Sequence, residues 1–424
     1  VPTLYRLQEQ DARTIASRRG ISLFYEPGAG KTATAIRAAQ LAAGPDFYQW
    51  GIVAPRNALK GEDSWEEALK VWAPTKSNIF LTHWEALDKP AVRDRLAQSR
   101  FLFLDEAHRS ANVQTKISAS TYYVSSRVLA GGGWSLPMTG TPIFNGVAEL
   151  GALLVYSGAM PADSYNNFVW RYSRPAAGTF NFTEALRIPE LRQVLNAYTI
   201  RRTVPEMGIQ LPPLYPIKWP INLARENAGA EYNAAAADFG KWYLETQGKV
   251  LPPLARFSTL RRLLSLAKAP TVAEIARQQI LIQKNVLIFT EFRDSAELIH
   301  KKLKGSSLVW GGDSDGARVQ AFASTRTGAR GLAMVATGGA LSDSANLQAF
   351  DSVYILDMPW TPADLDQWFK RVYRNRQTQP VTLVFFTAVD DAAEAHVERV
   401  LLRKTDLLIK LGLAPTGNLR QIGF

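Results

Sequence analysis

Ile21-Ser-Leu-Phe-Tyr25, Glu26-Pro-Gly-Ala-Gly-Lys-Thr32 and the run Ala33–Ala43 follow one another without a break. They read as an apolar strand, a glycine turn and a helix, the unit from which α/β sheets are built. At such a junction the backbone amides of Gly28, Ala29 and Gly30 can wrap a phosphate chain, and the helix N-terminus favours negative charge. Lys31 is placed to neutralise the outer phosphates, and Thr32 offers a hydroxyl suited to magnesium. A strict phosphate-loop pattern would have glycine five positions before Gly30, where this chain has Tyr25.

The same grammar repeats along the chain. Gly51–Ala54, Ile79–Thr82 and Phe101–Leu104 are short apolar runs of the kind that fill a parallel sheet buried on both faces. A proline-rich stretch between Pro205 and Pro220 marks a boundary. Helical segments are expected over 223–244, 257–266 and 271–283. A second sheet is expected from Asn285–Thr290, Leu308–Trp310, Leu332–Ala336, Ser352–Leu356 and Thr382–Thr387, closed by a helix over Ala392–Ile409. The fold class is therefore α/β, with two domains carrying parallel sheets and short helical insertions. Residues 1–210 form the first domain, 211–283 a helical insertion and brace, and 284–424 the second domain.

Composition narrows the chemistry. The 424 residues include no cysteine and four histidines without short metal-ligand spacing, which excludes a disulfide scaffold, a thiolate metal site and a cysteine nucleophile. The net charge of +11 is shared: 23 basic against 18 acidic residues up to Ile217, and 26 against 20 beyond it. An anionic partner is expected to meet both halves. The chain has no 18-residue uncharged apolar stretch, and Val1–Gln10 does not read as a signal peptide. No membrane partner is expected.

Asp105-Glu-Ala-His108 follows the strand Phe101–Leu104. Asp105 can hold hydrated magnesium and Glu106 can orient and deprotonate an attacking water. His108 reads either as a coupling residue or as a histidine packed beneath the sheet.

With these residues in place, the chain resembles the Snf2 branch of the superfamily 2 helicase-like ATPases, which implies that its two α/β domains are RecA-like P-loop NTPase domains. Leu4-Tyr-Arg-Leu-Gln8 looks like that branch's glutamine motif, which implies Gln8 as the reader of adenine. Ile52-Val-Ala-Pro55, Leu81-Thr-His-Trp84 and Leu136-Pro-Met-Thr-Gly-Thr-Pro-Ile-Phe-Asn145 follow in the family's order. The resemblance implies that Thr139 and Thr141 couple nucleotide state to closure, and that Pro55, Arg56 and Thr82 lie toward a nucleic-acid strand. Arg201-Arg202 matches a double arginine that braces domains or touches phosphate; two adjacent arginines also fit a solvated edge. Val286–Phe292 and Trp310-Gly-Gly312 resemble the opening segments of the second core domain.

Gln367-Trp-Phe-Lys-Arg-Val-Tyr-Arg374 spaces Gln367, Arg371 and Arg374 onto one helical face. Arg371 and Arg374 are the implied arginine fingers for charge on a transferring phosphoryl group, and Gln367 a coupling residue. Asn375-Arg376 stands where the family has isoleucine-glycine, before Gln377. Ser344 replaces a family glycine near Asn346, which the resemblance makes a strand-contact residue. Trp360 reads as a DNA contact or as ordinary packing.

The resemblance implies ATP and Mg2+ as cofactors and double-stranded or branched DNA as the partner of a translocase able to act as a single copy. It also implies a soluble protein of a bacterial or viral-host cytoplasm, or of a nucleus. A strand-separating DNA or RNA helicase and an ATP-gated assembly protein are the other readings.

Overall fold

The structure, a computed structural model, describes residues 3–43, 49–60, 64–73, 78–175, 182–223, 230–246, 254–311, 321, 328–341 and 347–424. They divide into two compact units, the first formed by 1–210 with 406–416, the second by 211–405 with 417–424.

In the first unit, α1 (Arg6–Ser17) precedes β1 (Ser22–Tyr25), and α2 (Lys31–Ala43) follows it. The strands β2 (Gln49–Ala54), β3 (Asn78–His83), β4 (Phe101–Asp105) and β5 (Trp134–Met138) come next. A hairpin, β6 (Ser173–Pro175) with β7 (Phe182–Ala185), and β8 (Thr199–Arg202) complete the set. Six strands make one parallel sheet in the order β3-β2-β4-β5-β1-β8. All of β1 and β4 is buried, as their continuous apolar sequences require in a sheet covered on both faces.

The second unit holds β9 (Leu214–Ile221), β10 (Val286–Thr290), β11 (Ser307–Val309), β12 (Ala333–Thr337), β13 (Ser352–Ile355) and β14 (Val381–Ala388). Their order is β11-β12-β10-β13-β14-β9, again parallel. Helix Leu254–Leu281 runs as one element through Pro270 and sends Phe257, Leu260, Leu264 and Val272 into this unit's core.

Two features depart from the division expected from sequence. The stretch read as a boundary at the start of a helical insertion contains β9, which pairs with β14 along its whole length. Proline donates no backbone hydrogen bond, so Pro216 and Pro220 fit only an edge strand, and β9 is one. Residues 406–416 group with the first unit, where Leu408, Leu411 and Leu413 join its core.

Candidate nucleotide site

Register explains why the site assembles. β5 lies between β1 and β4, and Met138 is level with both Leu23 and Asp105. The residue after Met138, Thr139, therefore emerges between the phosphate loop and the Asp105-Glu106 pair.

The loop is shaped by Gly28 and Gly30, both at φ +86, a region side chains rarely enter. At Gly30 a Cβ would lie 2.2 Å from Gln8 Nε2, so a side chain there would push that amide aside. Buried Gln8 donates to Ala29 O at 3.0 Å and accepts from Tyr5 N at 2.9 Å. It braces the loop directly. Tyr25 needs no glycine freedom because it ends β1: its buried hydroxyl donates to Asp11 at 2.6 Å. Burial, and then the Asp11 carboxylate, push that phenol far above its ordinary range.

Lys31 Nζ lies 3.2 Å from Glu106 Oε1. Glu106 sits at φ 51, ψ 48, a left-handed conformation that costs a non-glycine residue energy and turns its carboxylate toward the lysine. Its other oxygen accepts from Thr139 Oγ1 at 3.3 Å. His108 Nδ1 is 2.9 Å from Thr139 Oγ1 and 3.4 Å from Thr141 Oγ1. Thr139 also accepts the Thr141 backbone N–H at 3.0 Å. Lys31, Glu106, His108, Thr139 and Thr141 thus form one hydrogen-bonded group.

Burial works to raise the Glu106 pKa, but the Lys31 charge and the His108 contact outweigh it and hold the carboxyl well below its usual range. Asp105 moves the other way, raised by burial and by the neighbouring Glu106 charge. Two tryptophans that sequence reasoning passed over fix Asp105. Trp65 Nε1 donates to Oδ2 and Trp84 Nε1 to the backbone carbonyl, both at 2.9 Å. Only Trp84 lay in a recognised segment. Thr32 lies in the first turn of α2 beside Lys31, half-buried. Its hydroxyl and the Asp105 carboxylate are hard oxygen donors of the type magnesium prefers.

Several expected nucleic-acid contacts are placed elsewhere. Thr82 is 6% exposed within β3, and Pro55 is buried. Of that group Arg56 is exposed, 3.6 Å from Glu85. Arg202 grips Asp11 through two bonds of 2.8 Å. Arg201 bonds Phe24 O at 2.9 Å, faces Glu26 at 3.4 Å and bonds Ala414 O at 3.1 Å. Both arginines serve internal carboxylates and carbonyls of the first unit. Adjacent residues in a strand point to opposite faces, which sends the two side chains to different partners. Asn346 lies outside the described residues.

In the second unit, helix Pro362–Phe369 carries half-buried Gln367 but stops before the arginines. Arg371 and Arg374 come off the following turns, so the single helical face expected for the three is not formed. Those turns are tied down by buried Gln377, whose amide donates to Gln348 O, Phe350 O and Val372 O at 3.1–3.2 Å. Arg376 adopts φ 74, the conformation for which glycine is the easy choice. The backbone thus has a glycine-like turn here despite the altered residue. Trp360 packs 5.3 Å from Phe257, with the Arg261 guanidinium 4.8 Å from its ring centroid, which favours packing over a DNA contact.

Arg261 also meets Glu291 at 2.7 Å. Burial, against the Arg261 charge, pushes the Glu291 carboxyl up from 4.5 to about 7. A carboxyl raised in the folded state binds protons that the unfolded chain has released, so its stabilising effect is present at low pH and lost as pH rises toward 7. Between pH 5.5 and 8 the wild type is expected to lose about 2 kcal/mol that Glu291→Gln does not lose. Urea unfolding of both proteins at the two pH values checks this.

Residues 62–238 match the SNF2-related domain and residues 267–376 the helicase conserved C-terminal domain. The chain is 23% identical over 412 residues to the chromatin structure-remodeling complex protein SYD of Arabidopsis thaliana, covering 81% of this chain and 11% of that one. It is 30% identical over 182 residues to the SWI/SNF chromatin-remodeling complex subunit snf22 of Schizosaccharomyces pombe, covering 39% and 10%. The chain thus spans about a tenth of the length of these two relatives. Among solved structures, the Sulfolobus solfataricus SWI2/SNF2 ATPase core in complex with dsDNA is 22% identical, with a TM-score of 0.43 over 97% of this chain and 94% of that one. No helix of the described residues is long and apolar enough to cross a membrane. With both family segments present in order, and the phosphate loop and Asp105–His108 box in the first unit, the chain belongs to the Snf2-type branch of the superfamily 2 helicase-like ATPases.

Proposed function

We propose that this protein hydrolyses ATP and uses the cycle to move along double-stranded DNA. The observation that carries the reading is the Lys31–Glu106–Thr139–His108 group at the end of one sheet. Lys31 is paired with Glu106 at 3.2 Å. The outer phosphates of ATP replace Glu106 as its partner, leaving a carboxylate free to take a proton from the attacking water. Thr139 and His108 touch that same carboxylate and so register the exchange. Thr32 and Asp105 would hold magnesium, which supplies charge neutralisation at the phosphates. To Gln8 we assign the reading of adenine. To Arg371 and Arg374 we assign the neutralising of charge on the transferring phosphoryl group, and to Gln367 a part in coupling.

Duplex DNA as the track is supported by family membership and by a basic excess in both halves of the chain. Contacts dominated by phosphate make binding steeply salt-dependent. Affinity for a duplex is expected to fall at least tenfold between 50 and 200 mM salt, for a footprint of about two or more phosphates; a flat response contradicts a phosphate-led grip. Translocation is tested by displacement of a triplex-forming strand from a duplex. Displacement with ATP, and none with a non-hydrolysable analogue, is expected.

A further inference from the structure

Glu26 precedes the phosphate-loop glycines by two residues, and its side chain is wholly buried. The hydrolysis scheme gives it no task. A buried carboxylate is costly unless it is paired and hydrogen-bonded, and the partners of Glu26 come from two stretches remote in sequence. One oxygen accepts the Val204 N–H at 2.9 Å, just beyond β8. The other faces Arg201 Nη2 at 3.4 Å and accepts the Thr416 N–H. Arg201 then donates to Ala414 O at 3.1 Å, closing a ring of contacts around residues 414–416. The backbone of Glu26 is held as well: its N–H donates to Arg202 O, and its carbonyl accepts from Ala29 N, both at 3.0 Å. The residue that fastens the C-terminal segment is therefore the one on which the phosphate loop turns.

We propose that Glu26 is a positioning residue for the phosphate loop, and that Leu413–Thr416 is a strap whose docking on Glu26 and Arg201 sets the loop's affinity for nucleotide. This inference rests on reading Gly28–Thr32 as the nucleotide site. A loop built on two glycines has little stiffness of its own and takes its shape from what anchors its base. A buried polar network holds its members rigidly when every group is satisfied, and becomes a source of instability when one donor is removed. Loss of the Thr416 N–H leaves a charged oxygen under-bonded one residue before the Pro27-Gly28 turn. By linkage, the coupling is reciprocal: whatever the strap adds to nucleotide binding, bound nucleotide adds to the strap.

The test uses the full chain, with mant-ADP as the probe. Thr416→Pro removes one backbone donor, and Glu26→Gln keeps the side-chain size while removing its charge. Each is expected to weaken mant-ADP binding about tenfold, and to raise the KM for ATP more than it lowers kcat. In the wild type, ADP is expected to slow hydrogen exchange at the amides of Leu413, Ala414 and Thr416. That measurement needs no variant, so it decides the matter even where a substitution impairs folding. Folded variants that bind mant-ADP like the wild type, or a wild-type strap whose exchange ignores ADP, overturn the inference. A wild type that fails to bind mant-ADP overturns the nucleotide reading itself.

Discussion

Glu106→Gln binds ATP about as well as the wild type and hydrolyses it about 10²–10⁴-fold more slowly. The expectation follows from where the two carboxylate oxygens point. One lies 3.2 Å from Lys31 and the other 3.3 Å from Thr139, and the lysine charge keeps the group ionised despite burial. Glutamine fits the same space and can still meet Thr139, but it cannot accept a proton at neutral pH. It also releases Lys31 from its ion pair, so phosphate binding has no reason to suffer. Lys31→Ala should show the opposite pattern, with lost affinity as its first effect. Equilibrium binding and single-turnover hydrolysis separate the two, and ordinary turnover in Glu106→Gln would remove it from the general-base role.

Arg371→Ala is expected to lower kcat about 10³-fold or more, within the range for removal of a phosphoryl-neutralising arginine, while changing ATP affinity little. The helix that carries Gln367 ends at Phe369, so Arg371 is presented from a turn. That turn is pinned where Arg371 O accepts the Leu347 N–H at 3.1 Å and where Gln377 collects three carbonyls. Lysine should not rescue the variant, because it lacks the planar fork of donors. A surface arginine would give a change in DNA affinity with unaltered kcat at saturating DNA, and that result would refute the assignment.

The α/β alternation, the phosphate loop and the Asp105–His108 box were legible because each is a local pattern: an apolar strand followed by residues that carry chemistry. What escaped was set by pairing across the sheet. Trp134–Met138 holds Pro137, which argues against an interior strand, yet β5 lies in the middle of the first sheet and places Thr139. β9 was hidden by its prolines for the converse reason, since they are tolerated at an edge. Thr82, Arg201 and Arg202 were matched by motif to nucleic acid; the motif did not reveal that Thr82 is buried or that the arginines pair with Glu26 and Asp11. Those carboxylates lie 175 or more positions away from their arginines, beyond any local pattern.

The central claim, an ATPase driven by duplex DNA, is tested most directly by steady-state hydrolysis at matched salt with no nucleic acid, single-stranded DNA, duplex DNA, branched DNA or RNA. Hydrolysis that rises most with duplex or branched DNA, and that vanishes in Glu106→Gln, is the expected result. Hydrolysis indifferent to every nucleic acid, from a protein that still binds ADP, would contradict it.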